Sequence, residues 1–458
     1  MGAALKFLEA QKEGDIVLQR VLRYWQAILA VVAAAVIAVV WGTETLAHNV
    51  AVASTHVGPT QFVEYAMNNG NNAVYETPSA AHWATKWTFK APVPIQQASV
   101  ANGVVYASSD GGIFPGQSVH GYIYALGAKT GRLLWRQTLN NMSMTTPVVG
   151  DGLVFVGSGS GGFTAANFAK EDNLNARHII RGVGLSGVYA LNQKTGQVVW
   201  EYLTRGEDMP TFVLKGNTLL VANGDGKVYS FDARTGKKEW TVSIDSYVSM
   251  SSPTYANGVL YVSGAHPYDL YAIDVATHKI LWKAPIPGVF AGSDDCSLAF
   301  ANNHVYVLGT IGSWAKPSSV AFAFTTGGAL AWQTNLGQGT LPLNIEAAAP
   351  VAVGSTVYFG SMVTNTEYAL NAATGAVKWS FHASGPISEA PALLANRLYF
   401  GDSKGTFYVL KASSGHMIAS KTMSGSMFAA DYPVIVGQTL YQPDDNGEIF
   451  ARPLNQVK

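Results

Sequence analysis

The chain has 458 residues, of which 48% are hydrophobic and 13% charged, with Lys and Arg (29) equal in number to Asp and Glu (29). That balance leaves no basic field for nucleic acid. A single cysteine, Cys296, excludes an intrachain disulfide and any site needing two thiolates. A surface poor in charge but rich in Ser, Thr, Asn, Gly and Tyr escapes the self-repulsion a basic protein suffers in acid, although large β-repeat proteins are often low in charge regardless.

The first element is an uncharged run from Ala27 to Trp41 (AILAVVAAAVIAVVW), preceded by Arg20 and Arg23. At about 15 residues it is short for a membrane span and suited to a signal core, with positive charge on the cytoplasmic side. It predicts one hydrophobic helix at about 24–41 within a signal or anchor segment, 1–53. Ala51-Val52-Ala53 before Ser54 is the best cleavage pattern, whereas Glu9, Glu13 and Asp15 upstream, and Tyr24, Trp25 and Trp41 at the ends, suit an uncleaved anchor. Either way the bulk of the chain is expected outside the cytoplasm, periplasmic or on the cell surface, touching membrane only through this segment. Residues 54–84 read as a linker and lead-in.

From 85 to 458 one phrase recurs: YALGAKTGRLLW ending at Trp135, YALNQKTGQVVW at Trp200, YSFDARTGKKEW at Trp240, YAIDVATHKILW at Trp282, FAFTTGGALAW at Trp332 and YALNAATGAVKW at Trp379. A worn copy, YVLKASSGHMIAS, runs through Ser420. Spacings of about 40 to 50 residues are the period of a four-stranded propeller blade. Tyr-x-Leu alternation marks a strand with one buried face, Thr-Gly a turn needing positive φ, and the tryptophan an outermost strand that packs between blades. The eighth copy is split: KWTFKAPVPIQQ from Lys86 lacks a preceding Tyr-Ala-Leu, and GEIFARPL from Gly447 supplies it. The expected fold is therefore all-β, an eight-bladed β-propeller closed by its N- and C-terminal strands, which leaves no open edge.

The phrase resembles the PQQ-like (quinoprotein-type) propeller repeat over roughly residues 85–455, a resemblance that enzymes and binding proteins share. In such rings the strand after each tryptophan segment lines the axis, and Pro147, Pro253, Pro350, Pro391 and Pro433 mark its start. Alignment on these prolines places Asp208, Glu389 and Asp431 two positions earlier, and Glu207 and Asp295 three earlier, around one mouth of the channel. Carboxylates converging there raise one another's pKa, so that one stays protonated as an acid or serves as a base; the alternative is a set of solvated loop residues. An insertion from Gly157 to Gly187 carries Lys170, Arg177, His178 and Arg181, with glycines at its base that let it fold over the mouth to hold an anion or a partner.

Three classes share this repeat. Quinoprotein dehydrogenases carry an adjacent cysteine pair and a metal held by Glu, Asn and Asp, and the pair is absent here. The propeller lipoprotein of the outer-membrane β-barrel assembly machinery has an N-terminal cysteine for its lipid, also absent. The chain is similar to the tetrathionate hydrolase family of acidophilic sulfur-oxidising bacteria in its export segment, low charge, single cysteine, insertion and the acidic pair of GSDDCS. That resemblance implies an exported hydrolase that cleaves an S–S bond of tetrathionate in acid, giving thiosulfate, sulfur and sulfate, with no cofactor and no metal. It implies an essential propeller aspartate, matched by Asp294 or Asp295, which would activate water or protonate a leaving sulfur. Arg177, His178 and Arg181, with Asp208, Glu389 and Asp431, are the candidate substrate-binding residues for a small inorganic anion. The neutral surface and apolar insertion are compatible with a homodimer.

Overall fold

The computed structural model describes residues 71, 74–75, 85–111, 120–171, 173, 177–343, 345–423, 425–429 and 432–457. The expected hydrophobic helix at 24–41 and Asp431 lie outside them. Among the described residues no helix is long and apolar enough to cross a membrane.

Eight antiparallel sheets form the ring. Blade 1 is Ile95–Ala101, Val104–Ser109, Tyr122–Gly127 and Leu133–Thr138, from the inside outwards. Blades 2 to 7 follow in chain order, their innermost strands being Val148–Gly150, Val213–Lys215, Thr254–Ala256, Ala299–Ala301, Val351–Val353 and Ala392–Leu394. Blade 8 takes Val434–Val436, Thr439–Asp444 and Glu448–Pro453 from the C-terminus, and its outermost strand, Trp87–Lys90, from the N-terminal side, with Trp87 opposite Ala451. The split eighth copy closes the ring as expected.

The repeated phrase is an inter-blade joint. Each Thr-Gly glycine adopts positive φ because the chain reverses there, and its missing side chain receives the tryptophan of the preceding blade: a Cβ on Gly236 (φ +69°) would lie 2.6 Å from the Trp200 ring. The same tryptophan then donates from Nε1 to a carbonyl of the next blade, Trp200 to Ala233 at 2.9 Å and Trp379 to Ala412 at 2.9 Å. A tyrosine often shares that acceptor: Tyr358 Oη donates to Ala412 at 3.2 Å, and Tyr441 Oη joins Trp87 on Ala128. Blade 4 has Thr277-His278 in place of Thr-Gly, and there the imidazole stacks on Trp240 at 4.8 Å. Gly236→Ala is expected to cost about 2–4 kcal/mol, combining overpacking with left-handed strain. Gly152→Ala, equally left-handed (φ +79°) but with nothing within 4 Å of its Cβ, is expected to cost only about 1–2 kcal/mol. Denaturant unfolding of the two variants compares them.

Hydroxyls stitch the inner strands. The Thr146 N–H donates to Thr211 Oγ1, that of Thr211 to Ser252 Oγ, and that of Ser252 to Ser297 Oγ, each at 3.0 Å, linking blades 2 to 5. The described lead-in residues 71 and 74–75 meet inner strands of the ring. Asn71 Nδ2 donates to the carbonyls of Ser252 and Pro253 in blade 4, and Val74–Tyr75 pairs in parallel with Leu393 and Leu394 of blade 7.

Candidate active site

In a four-stranded meander the link between the second and third strands lies on the same face as the link to the next blade. One face therefore gathers the insertion of blade 2, the loops entering blades 3, 4 and 5, and the turn 264–269 of blade 4. Glycines let these segments meet. A Cβ on Gly159 would lie 2.6 Å from Glu207 Cα, one on Gly182 would lie 2.6 Å from the Glu207 nitrogen, and one on Gly224 would lie 2.4 Å from the Arg181 carbonyl. Arg181 is thereby stitched into a backbone ladder, its N–H donating to Gly224 and its carbonyl accepting from Glu207. The insertion, which includes the helix Ala165–Glu171, reaches as far as blade 4: Ile179 is buried with Tyr247 and Ala265, and Phe163 meets Tyr247 edge-on at 5.4 Å.

The centre of this cluster is Arg181. Its Nε donates to Glu207 Oε1 at 2.7 Å, and its guanidinium lies 5.7 Å from the Phe163 ring. Neither of its terminal amino groups has a hydrogen-bond partner among the described residues, and the side chain keeps 21% of its surface exposed. Glu207 is fully buried, with Oε2 unpartnered, and burial, opposed by Arg181, raises its pKa to about 7. Asp294, also buried, rises to about 8 through burial and then the charge of Asp295. Arg181 feels the charges of Glu207, Asp295 and Asp294, and also Tyr247. Asp295 is half-buried, its Oδ1 without a partner, and it lines a cavity of about 20 Å³ on the channel axis, room for a water molecule. Met144, Met209, Met250, Ser252 and Glu346 share that lining.

Not every mouth residue faces the channel. Positions one and three before the aligned prolines line it in several blades, such as Met209, Ser252 and Ala390, and Met144, Met250 and Ser388, whereas Glu207, also three before, is buried against Arg181. Positions two before are turned into the blades, because extended backbone alternates its side chains. Asp208 is thus fully buried, accepting from Thr204 Oγ1 and from Asn223 Nδ2 (2.7 Å), and burial lifts its pKa to about 8. Glu389 is likewise buried between the Gly401 N–H and Gln442 Nε2 (2.7 Å), with a pKa of about 8. Cys296 occupies the same type of position, its Sγ accepting from the Leu308 N–H at 3.3 Å, and burial pushes the thiol to about 12.

The three insertion cations also part company. Arg181 joins the acid pair, whereas Arg177 is exposed and ion-paired to Asp245 at 2.6 Å. It lines a separate surface cavity with Tyr268 and Lys283. His178 is exposed in the left-handed region (φ 56°). The sequence reading missed Phe163, Tyr247, Tyr268 and Ser249 as neighbours of Arg181 and the acids. No motif marks them, since loops from different blades bring them in.

The family model described as outer membrane protein assembly factor BamB, a PQQ-like repeat model, matches residues 72–174, 184–362 and 316–456. The chain belongs to the PQQ-like β-propeller family. Within that family it is 32% identical over 375 residues to a tetrathionate hydrolase of Acidithiobacillus ferrooxidans, covering 78% of this chain and 72% of that relative. It is 27% identical over 393 residues to a tetrathionate hydrolase of Acidianus ambivalens, covering 78% and 70%. A quinohemoprotein alcohol dehydrogenase from Pseudomonas putida superposes with a TM-score of 0.57 at 12% identity, over 88% of this chain and 81% of that one, a likeness of fold alone. The stretch between residues 174 and 184, which carries Arg177, His178 and Arg181, falls outside the PQQ-like matches.

Proposed function

We propose that this PQQ-like propeller is an exported hydrolase acting on tetrathionate. One observation carries the reading: in a chain related to two tetrathionate hydrolases, the unpaired amino edge of Arg181 and the unpartnered Oδ1 of Asp295 share one mouth of the channel. A guanidinium edge with two free amino groups matches the oxygens of a sulfonate end. Asp295, beside the water-sized cavity, takes a proton from water as the water oxygen attacks the bound sulfonate sulfur. The S–S bond to that sulfur breaks, sulfate forms, and the departing sulfur chain takes up a proton. That chain then releases sulfur and thiosulfate, so tetrathionate and one water give thiosulfate, sulfur, sulfate and two protons. Asp294, kept neutral by burial, removes one negative charge that would otherwise repel the dianion.

Thiosulfate release from tetrathionate by the purified protein, at about pH 3 and about pH 7 without added quinone, tests the reading. Turnover favoured in acid supports it. A folded protein with no turnover at either pH overturns it and favours a propeller that serves as a scaffold.

A further inference from the structure

The Arg181–Glu207 pair poses an electrostatic problem. The pair is neutral as an ion pair, and Glu207 is fully buried. Bringing a dianion to the open edge of Arg181 while Glu207 remains ionised would place three negative charges around one guanidinium in a poorly solvated site, a costly arrangement. Yet Glu207 Oε2 is buried, unpartnered and available to hold a proton, while Oε1 would continue to accept from Arg181 Nε as the carbonyl of a neutral acid.

We propose that Arg181 and Glu207 form a proton-linked anion receptor, in which a small dianion binds the open amino edge of Arg181 together with one proton that goes to Glu207 Oε2. For the identity of the natural anion this rests on the hydrolase reading above. The guanidinium hydrogen bond survives protonation, so the geometry stays fixed while the charge of Arg181 passes from the carboxylate to the ligand. The other groups around the Arg181–Glu207 pair fit this role. Asp208 beside it and Asp294 on the loop entering blade 5 are raised by burial. Tyr247 and Ser249 on the loop entering blade 4, and Tyr268 of blade 4, are uncharged hydroxyl groups, the Tyr268 phenol being raised well above its usual value. Asp295 is the remaining carboxyl in reach. The pKa of about 7 for Glu207 places the transition near neutrality.

Calorimetric titration of the full-length protein with sulfate, which stays a dianion from pH 5 to 9, tests the proposal. The expected affinity falls about tenfold per pH unit above neutrality, as linkage of one proton requires. Buffers of different ionisation heat should report one proton taken up per sulfate at pH 8 and none at pH 5. Asp294→Asn is expected to keep the proton count, and in that background, where Asp294 cannot titrate, Glu207→Gln is expected to bind sulfate equally well across this range with no proton uptake. Sulfate binding without proton uptake in the unaltered protein overturns the receptor without any variant, as does Glu207→Gln with unchanged pH dependence. The two readings fail separately. Proton-linked sulfate binding with no thiosulfate release from tetrathionate leaves the receptor and removes the hydrolase, whereas acid-favoured turnover with pH-independent sulfate binding does the reverse.

Discussion

Asp295→Asn is expected to lower the rate of thiosulfate release about 10²- to 10⁴-fold, the usual contribution of a positioned proton-transfer group, while Asp294→Asn lowers it less than about tenfold. The contrast follows from burial. Asp294 is 5% exposed, and its pKa is lifted to about 8, so it is already neutral in acid and an asparagine of the same shape reproduces that state. Asp295 lines the water-sized cavity with Oδ1 unpartnered, and an amide there cannot take a proton from water. Substrate affinity is expected to change little in either variant, because the proposed anion contact is Arg181 rather than either aspartate. Rates measured at saturating tetrathionate separate the two; a large loss in Asp294→Asn with near-normal Asp295→Asn would exchange their roles.

The second large effect concerns stability. Glu207, Asp208, Asp294 and Glu389 have pKa values raised by burial to about 7, 8, 8 and 8, and buried Glu367, with neither carboxyl oxygen partnered, is raised well above its usual value. In the unfolded chain these groups ionise near pH 4. Between about pH 4 and pH 8 the native state therefore holds more protons than the unfolded one, and stability falls as pH rises. Below pH 4 both states are protonated and this dependence vanishes. The opposite trend from Asp232, Asp245 and Asp274, whose pKa values are lowered by hydrogen bonds at the surface, is confined to more acid solution. The expected thermal midpoint is therefore higher at pH 4–5 than at pH 8, with a stability difference of several kcal/mol, on the order of one per titration unit expressed. Glu367→Gln should remove one proton from the slope and narrow that gap. A midpoint as high at pH 8 as at pH 5 would show that these carboxyls ionise freely in the folded protein.

The propeller was legible because its determinants are local and repeated. Tyr-x-Leu, Thr-Gly and Trp each act within one hairpin or between adjacent blades, so Trp200 on Gly236 is the same joint as Trp135 on Gly196, and the phrase alone revealed both the blade count and the shared eighth blade. Alignment on the prolines also located the mouth and brought Asp294, Asp295 and Glu207 to notice. It could not tell which mouth residues face the axis. Asp208 and Asp295 seemed equivalent as loop carboxylates, yet a one-residue offset in an extended segment turns one into a blade and the other into the channel.

Fold, ring closure and the acidic pair were thus determined by sequence, through periodicities and turn residues that act over a few positions. The tertiary structure alone decided that Arg181, and not Arg177 or His178, meets the acids, because that choice depends on where an insertion from blade 2 lands across blade 4. It also decided that Glu207 binds Arg181 while Asp208 binds Asn223. Loops far apart in sequence set the desolvation and charge felt by each carboxyl, and no local pattern records those distances.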